Sequence, residues 1–397
     1  MAGNLNIFVL VDALGWTCLQ GRGFLPDLLP CRQRLRTVLG FSSGAIPVIL
    51  TGLPPAQNGH WSLLYYNPQG SPFRWLRPVE YLLPDHRVTR KVLKEIGRRL
   101  LGLGPLFECA VSPRLLAYFD WAEKRNIYDR GGIPGARSII DRLAERGVAY
   151  RTYSYHTDSD EGILRRARRD IERGEAAFLL LYLSELDGFL HHHCLDNGRL
   201  DERLGWYAAG LRGLFQTALR RDPAAGLTVF SDHGMTPVRR QHDVVGEIES
   251  LGLSTPRDYL AVYDSTMARF WFFTGPARTR ITDRLGALSC GRLLDDQELE
   301  RLGVLFPDRR YGEAIFLMHP GWLLARSDFN GPGWMPVGMH GYHPDDPDSD
   351  AVFLSNRQPP VAVRSLADVY QCMRRAMRDL GTSPAPCEVA SEDSPRV

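Results

Sequence analysis

The segment 226–237, GLTVFSDHGMTP, constrains this chain more than any other stretch. Residues 227–230 are a short apolar run with a β-branched pair, bounded by Gly226 and a polar turn, which predicts a buried strand. Ser231, Asp232, His233 and Gly234 follow at once. A carboxylate and an imidazole side by side, where a strand hands over to a loop, suit a borderline-soft cation such as zinc. Gly234 lets the backbone turn sharply without a Cβ clash. A surface turn that happens to carry Asp and His would read the same, so the metal reading needs further ligands at comparable places.

Those places exist. Residues 6–11, NIFVLV, have the length and apolar character of a strand in a sheet covered on both faces. Asp12 ends the run, where open α/β sheets place their sites, although capping a following helix is the competing role. Residues 35–39 read as a second strand. It leads into Phe41-Ser42-Ser43-Gly44, an apolar segment 45–50, and the stop signal Gly52 with Pro54 beyond. Ser42 and Ser43 therefore sit at a predicted helix N-terminus. Free N–H groups and the positive dipole end there favour a phosphate or an ionised hydroxyl, a setting for an oxygen nucleophile as well as for simple N-capping. Residues 136–146 read as helix, 149–155 as strand, 159–174 as helix, 176–183 as buried strand and 201–219 as helix. Strands alternating with helices predict right-handed crossovers and a mainly parallel sheet sandwiched by helices, an α/β fold. After the strand 176–183 comes Ser184-Glu185-Leu186-Asp187-Gly188-Phe189-Leu190-His191-His192-His193. Asp187 and His191 lie four apart, so one helical turn puts both on one face, and that spacing selects His191 over its neighbours.

The remaining segments interrupt this alternation. Residues 60–129 are rich in Pro and aromatics (Trp61, Tyr65, Tyr66, Phe73, Trp75, Tyr81) and carry a basic helical run, 87–101. They read as a cap insertion, whose aromatics either stack on a substrate group or form the cap's own core. A smaller insertion is expected at about 255–312, with strand character at 268–273 and helices at 279–288 and 295–302. Residues 313–317 and 321–326 read as paired short strands, 351–354 as a closing strand and 365–380 as a last helix. One domain, 1–380, is expected, with a disordered tail over 381–397. The 397 residues are 44% apolar and 24% charged, an ordinary globular composition, and the formal net charge of +2 makes no bulk electrostatic case for nucleic acid or a membrane as partner. Seven scattered cysteines without CxxC spacing predict free thiols in a reducing compartment. The apolar run 7–14 is interrupted by Asp12 and too short for a signal peptide or a membrane span, so a cytoplasmic location is expected. Neither GxxxxGK[ST] nor a GxGxxG after a strand is present, which argues against nucleotide binding by those routes. No feature sets an oligomeric state.

Three carboxylates, Asp12, Asp187 and Asp232, thus end three predicted strands, accompanied by His191 and His233. His340, in the loop Gly338-Met339-His340-Gly341-Tyr342-His343, can return to the same edge, and Ser42 waits beside it. Such a set can build two adjacent metal sites, roughly 4 Å apart in two-metal enzymes. Two divalent cations bring four positive charges, three aspartates offset three, and the remainder suits a phosphate.

These motifs, in this order, resemble the alkaline phosphatase superfamily in its nucleotide pyrophosphatase/phosphodiesterase branch: Asp12 after the first strand, Ser42 ahead of Thr51-Gly52, Asp187-x-x-x-His191, Ser231-Asp232-His233-Gly234-Met235 and His340-Gly341-Tyr342. The resemblance implies an alkaline-phosphatase-like fold and two Zn2+ ions, Mn2+ or another divalent cation being an alternative. One would be held by Asp187, His191 and His340, the other by Asp12, Asp232, His233 and the Ser42 oxygen. It implies a hydrolase that cleaves a phosphodiester or pyrophosphate bond of a small-molecule phosphate ester through a phosphoserine at Ser42. The alternatives are a phosphomonoesterase or phosphoryl-group transferase on the same site and, in another class, a catalytically silent binding protein. The chain departs from the branch in one respect. Related phosphodiesterases commonly carry Thr followed by Phe-Pro-Asn, whereas this chain has Ser42-Ser43-Gly44-Ala45, so the phosphate-contacting Asn is missing and Ser43 stands as a second candidate nucleophile. The Cys-x-Pro-x-Arg sequence of sulfatases is absent.

Overall fold

A computed structural model describes residues 5–103, 107, 109–329 and 335–380; the expected tail lies outside the described residues. Its centre is a six-stranded sheet of β1 (Asn6–Val11), β2 (Cys31–Leu35), β3 (Tyr150–Tyr153), β4 (Phe178–Leu183), β5 (Gly226–Phe230) and β6 (Ala351–Ser355), in the order β2-β6-β5-β1-β4-β3. β5, β1, β4 and β3 are parallel, and β6 runs antiparallel between β5 and β2. Every residue of β1 and of β4 is buried, as continuous apolar runs require in a sheet covered on both faces.

Alternation along β1 divides the core. Ile7, Val9 and Val11 pack with Ile163, Leu164, Ala167 and Ile171 of the helix Asp160–Arg173 and with Leu204, Leu211 and Leu214 of the helix Asn197–Arg221. Phe8 and Leu10 face the other way, toward α1 (Ser42–Thr51) and the helices Ile139–Glu145 and Leu366–Asp379. Full burial of each Leu, Ile, Val or Phe contributes about 1.5–3 kcal/mol, so the two layers hold the sheet from both sides. The fold is the expected mixed α/β sandwich.

Two expectations for individual strands are corrected. The second strand is Cys31–Leu35, not 35–39. Its alternation of buried Cys31 and Leu35 with three polar residues between them suits a sheet edge and conceals it from an apolar-run reading. Leu39 instead packs with Trp61, whose indole Nε1 donates to the Leu39 carbonyl at 2.6 Å. The strands Ala314–Met318 and Trp322–Leu324 do not pair with each other. The first joins Met267–Phe272 and Gly291–Leu293; the second runs parallel to Arg240–His242.

Tyr259–Asp264, Met267–Phe272, Ala314–Met318 and Gly291–Leu293 form a second, antiparallel sheet. Ala261, Ala268, Phe270 and Phe316 on one face pack against Ala277, Ile281 and Leu285 of the helix Gly275–Gly286. Leu260, Val262 and Trp271 on the other share a core with Leu64, Phe73, Leu76, Leu93, Phe107 and Trp121. The aromatic-rich segment therefore rests on the second sheet. Among the described residues no helix is long and apolar enough to cross a membrane.

Candidate active site

Register brings the carboxylates together. Leu10 pairs with Phe230 and Val11 with Leu183, so Asp12, two residues past Leu10, and Asp232, two past Phe230, leave the same edge of the sheet at the same level. Ala13 turns the chain through a positive φ of 60°, and its N–H donates to Asp232 Oδ1 at 3.3 Å. Thr37 Oγ1 donates to the Asp232 carbonyl at 2.7 Å. Asp187 lies in the first turn of α2 (Glu185–His193), which begins directly beyond β4. Its Oδ2 is 3.3 Å from His191 Nε2, the contact that the four-residue spacing predicts.

His340 arrives from far along the chain. Gly338 and Met339 pair antiparallel with Pro237 and Thr236, which lays the segment before His340 against the segment after His233. The two imidazoles stack, with centroids 3.8 Å apart and planes at 13°. His340 Nε2 is 3.4 Å from Asp187 Oδ1. The Gly338 carbonyl accepts from His191 Nδ1 at 2.8 Å, and the Gly234 carbonyl accepts from His233 Nδ1 at 2.9 Å. A carbonyl only accepts, so in both rings Nδ1 carries the proton and Nε2 keeps its lone pair for the site, the arrangement metal-ligating histidines favour. His233 Nε2 lies 3.4 Å from Asp12 Oδ1 and 3.3 Å from Asp232 Oδ2.

Gly234 permits this turn. A Cβ there would stand 2.1 Å from the Asp348 carbonyl oxygen and 2.9 Å from that of Asp350, both backbone atoms that cannot swing away. Gly234→Ala is expected to destabilise the protein by about 3 kcal/mol, the upper range for forced overpacking, and to displace His233. Thermal unfolding together with zinc titration checks both effects.

Ser42 opens α1 but does not cap it. The N-cap is Phe41, without a side-chain cap bond. The Ser42 hydroxyl instead lies 3.0 Å from His233 Nε2, which the tautomer makes the acceptor. All seven residues singled out in the sequence, Asp12, Ser42, Asp187, His191, Asp232, His233 and His340, thus meet at one sheet edge. Two compact ligand groups result, Asp12–Asp232–His233 and Asp187–His233–His340, with donor atoms inside each group within 4.8 Å of one another. His191 adjoins the second through Asp187.

The donor set fits a cation. Asp12 Oδ1, Asp187 Oδ1 and Asp232 Oδ2 are buried and take part in no hydrogen bond. Burial, then the neighbouring Asp232 and Asp187 charges, push the Asp12 carboxyl well above the usual carboxylate range. Burial also acts to raise Asp187, but the histidines facing it, His191 in direct contact, outweigh it and hold that carboxyl below its ordinary value. Burial and then the adjacent His233 keep His340 far below an ordinary histidine, hence neutral and ready to ligate. Buried carboxylate oxygens without hydrogen-bond partners, facing imidazoles, are what a divalent cation of zinc type would satisfy.

One partner was hidden in the sequence. Tyr182, on β4, donates its hydroxyl to Asp12 Oδ2. In the sequence it reads as another core position of an apolar strand. Tyr182→Phe is expected to weaken metal affinity about 10-fold or more, as removal of outer-shell partners does, with little loss of fold. Zinc competition against a chromophoric chelator reads this directly.

The cluster opens into a cavity of about 500 Å3 that Ser42, Ser43, Asp12, Asp187 and His340 line together with Phe41, Tyr128, Tyr155 and Tyr182. None of the six cap aromatics singled out in the sequence reaches it. Trp61 and Phe73 are core, whereas Trp75 and Tyr81 are 51% and 68% exposed on the surface.

The sequence matches the model of the type I phosphodiesterase / nucleotide pyrophosphatase family over residues 45–343. The chain belongs to this family. It is a hydrolase of phosphoester bonds, in a metal-dependent family. The matched span holds Asp187, His191, Asp232, His233 and His340; Asp12 and Ser42 precede it, and the fold brings them to the others. No curated protein matches the sequence. Among solved structures, human ectonucleotide pyrophosphatase/phosphodiesterase 5 is similar, with 15% identity, a TM-score of 0.67, and coverage of 96% of this chain and 97% of that one. Its murine counterpart has 16% identity and a TM-score of 0.69, and an inactive variant of the murine protein in complex with AMP has 17% and 0.66, both with the same coverage. At these identities the likeness establishes the fold.

Proposed function

We propose that this phosphodiesterase uses two zinc ions and a phosphoserine at Ser42 to cleave a phosphodiester or pyrophosphate bond in a small-molecule substrate. The observation that carries the reading is the Ser42 hydroxyl 3.0 Å from His233 Nε2, beside buried carboxylate oxygens without hydrogen-bond partners. Asp187, His191 and His340 would hold one ion; Asp12, Asp232, His233 and the Ser42 oxygen would hold the other. The mixed imidazole and carboxylate set favours zinc, with Mn2+ as the alternative. When bound, the ions supply Lewis-acid charge that acidifies a hydroxyl and offsets charge on phosphoryl oxygens.

The chain's own residues do the rest. Ser42 Oγ forms the new bond to phosphorus as the leaving oxygen departs, and water later breaks that bond to regenerate the serine. The first turn of α1 directs free N–H groups and its positive dipole end toward the phosphate, a role that matters more in the absence of the Asn found in related enzymes. A nucleotide is a supported substrate class, since the murine neighbour is seen in complex with AMP. A cytoplasmic setting belongs to the same proposal, supported by six described cysteines that are free thiols.

The test is a substrate comparison on zinc-loaded protein. Bis(p-nitrophenyl) phosphate should exceed p-nitrophenyl phosphate in kcat/KM by at least about tenfold, a difference of roughly 1.4 kcal/mol in transition-state binding. The reverse ratio would assign a monoesterase.

A further inference from the structure

Besides the Asp/His cluster and Ser42, the cavity is lined by Glu123, Tyr128, Tyr155 and His156. None of these four belongs to the ligand set or serves as the nucleophile. Tyr128 is 4% exposed, and its buried hydroxyl has no hydrogen-bond partner. His156 Nδ1 is likewise buried without a partner. Glu123 makes no ion pair or hydrogen bond among the described residues, and desolvation lifts its carboxyl to about 7. These groups are neighbours. The Glu123 charge acts on both Tyr128 and Tyr155, the Tyr155 and His156 rings lie 4.4 Å apart, and Tyr128 meets His156 edge-on at 6.0 Å. Tyr128 and Tyr155 also pack on Tyr182, which joins this lobe to Asp12. Among the described residues no Lys or Arg lines the cavity.

Buried polar atoms without partners carry an uncompensated desolvation penalty, and a native fold keeps them where something else supplies the partner. A carboxylate among aromatic rings, without a Lys or Arg partner in the cavity wall, accepts from N–H groups. We propose that Glu123, Tyr128 and His156 form a subsite for an amino group on the organic part of the phosphate substrate. Glu123 accepts an N–H, Tyr128 and His156 complete its hydrogen bonds, and Tyr155 with Tyr182 walls the group. The assignment rests on the phosphodiesterase reading above. It makes these three residues determinants of specificity, with no part in bond cleavage.

Two substrates that differ by one amino group test it: the p-nitrophenyl diesters of 2-aminoethyl phosphate and of ethyl phosphate. On the zinc-loaded protein the amino ester is expected to win in kcat/KM by at least about tenfold, mostly through KM. Glu123→Gln should bring that ratio close to one; Tyr128→Phe, a milder change if the first variant folds poorly, should lower it about threefold or more. The p-nitrophenyl esters of adenosine and inosine 5′-phosphate form a second pair, which separates a neutral exocyclic amine from an aminoalkyl cation. A ratio near one for both pairs in the unmodified protein, or a ratio that both variants leave intact, overturns the subsite while Ser42-dependent hydrolysis stands. If hydrolysis itself does not depend on Ser42, the catalytic reading fails instead. Calorimetry then judges the subsite alone: 2-aminoethyl phosphate should bind at least tenfold tighter than ethyl phosphate, and Glu123→Gln should erase the difference. Equal affinities would overturn it.

Discussion

Ser42→Ala is expected to lower kcat on bis(p-nitrophenyl) phosphate by about 10^4-fold or more, while zinc content and thermal stability stay near those of the parent. The size follows from removing a nucleophile, for which losses of that order are usual. Metal retention follows from the geometry. Asp12, Asp232 and His233 form one compact group and Asp187, His233 and His340 another, and neither group includes the serine. Nor does the substitution disturb the helix, because Ser42 makes no cap bond and α1 continues through buried Ala45, Ile46 and Val48. Ser43→Ala provides the control. Ser43 also lines the cavity, yet Ser42 is the hydroxyl within hydrogen-bond distance of His233, so Ser43→Ala should cost less than about tenfold. If activity survives Ser42→Ala and disappears in Ser43→Ala, the nucleophile is the neighbouring residue. Trapping labelled phosphate on a tryptic peptide in acid would show which serine carries it.

Removing the metal should abolish activity, and restoring zinc should recover it with about two ions per chain. Elemental analysis before and after dialysis against a chelator measures this. The apo protein holds three aspartates at one sheet edge, and the Asp12 carboxyl is pushed up by burial first and then by its acidic neighbours. A cation that binds the folded state alone relieves that repulsion, and stabilises by roughly 4 kcal/mol when its concentration is a thousand times the dissociation constant. The melting temperature should therefore rise with zinc, and less so in Asp232→Asn. Acid should reverse the effect. Burial lowers the His191 pKa, but the contact with Asp187 more than compensates and raises it above the ordinary value of 6.5. His340 is held far lower by burial. As pH falls, His191 therefore takes its proton before His340 and competes with the metal for Nε2, so the half of the site with Asp187 should empty before the half with Asp12. Zinc stoichiometry between pH 7.5 and 5.5 should fall from about two toward one. Loss of both ions together would contradict the order.

The central sheet was legible because its signal is local. Asn6–Val11, Phe178–Leu183 and Gly226–Phe230 are apolar runs of strand length, and a polar residue at the end of such a run in a parallel sheet points to the edge where sites form. Asp12, Asp187 and Asp232 could be read on that basis, and His191 from one helical turn. The edge strand Cys31–Leu35 could not, because Arg32, Gln33 and Arg34 leave it no apolar run, and antiparallel pairing with Ala351–Ser355 is what makes it a strand.

What the sequence alone determined is the inventory: which residues carry oxygen or nitrogen donors, and on which strand end or helical turn each one sits. Tertiary structure decided which of them meet. His340 joins His233 because Gly338–Met339 pairs with Thr236–Pro237, a contact across about a hundred residues. Tyr182 packs its ring in the core and carries its hydroxyl to Asp12, and Glu123, Tyr128 and His156 face one cavity from segments without helix or strand periodicity. The physical reason is that backbone propensity and side-chain spacing act within a few residues, whereas an unsatisfied donor, a stacked pair of imidazoles or a desolvated carboxylate exists only once distant segments have excluded water from the space between them.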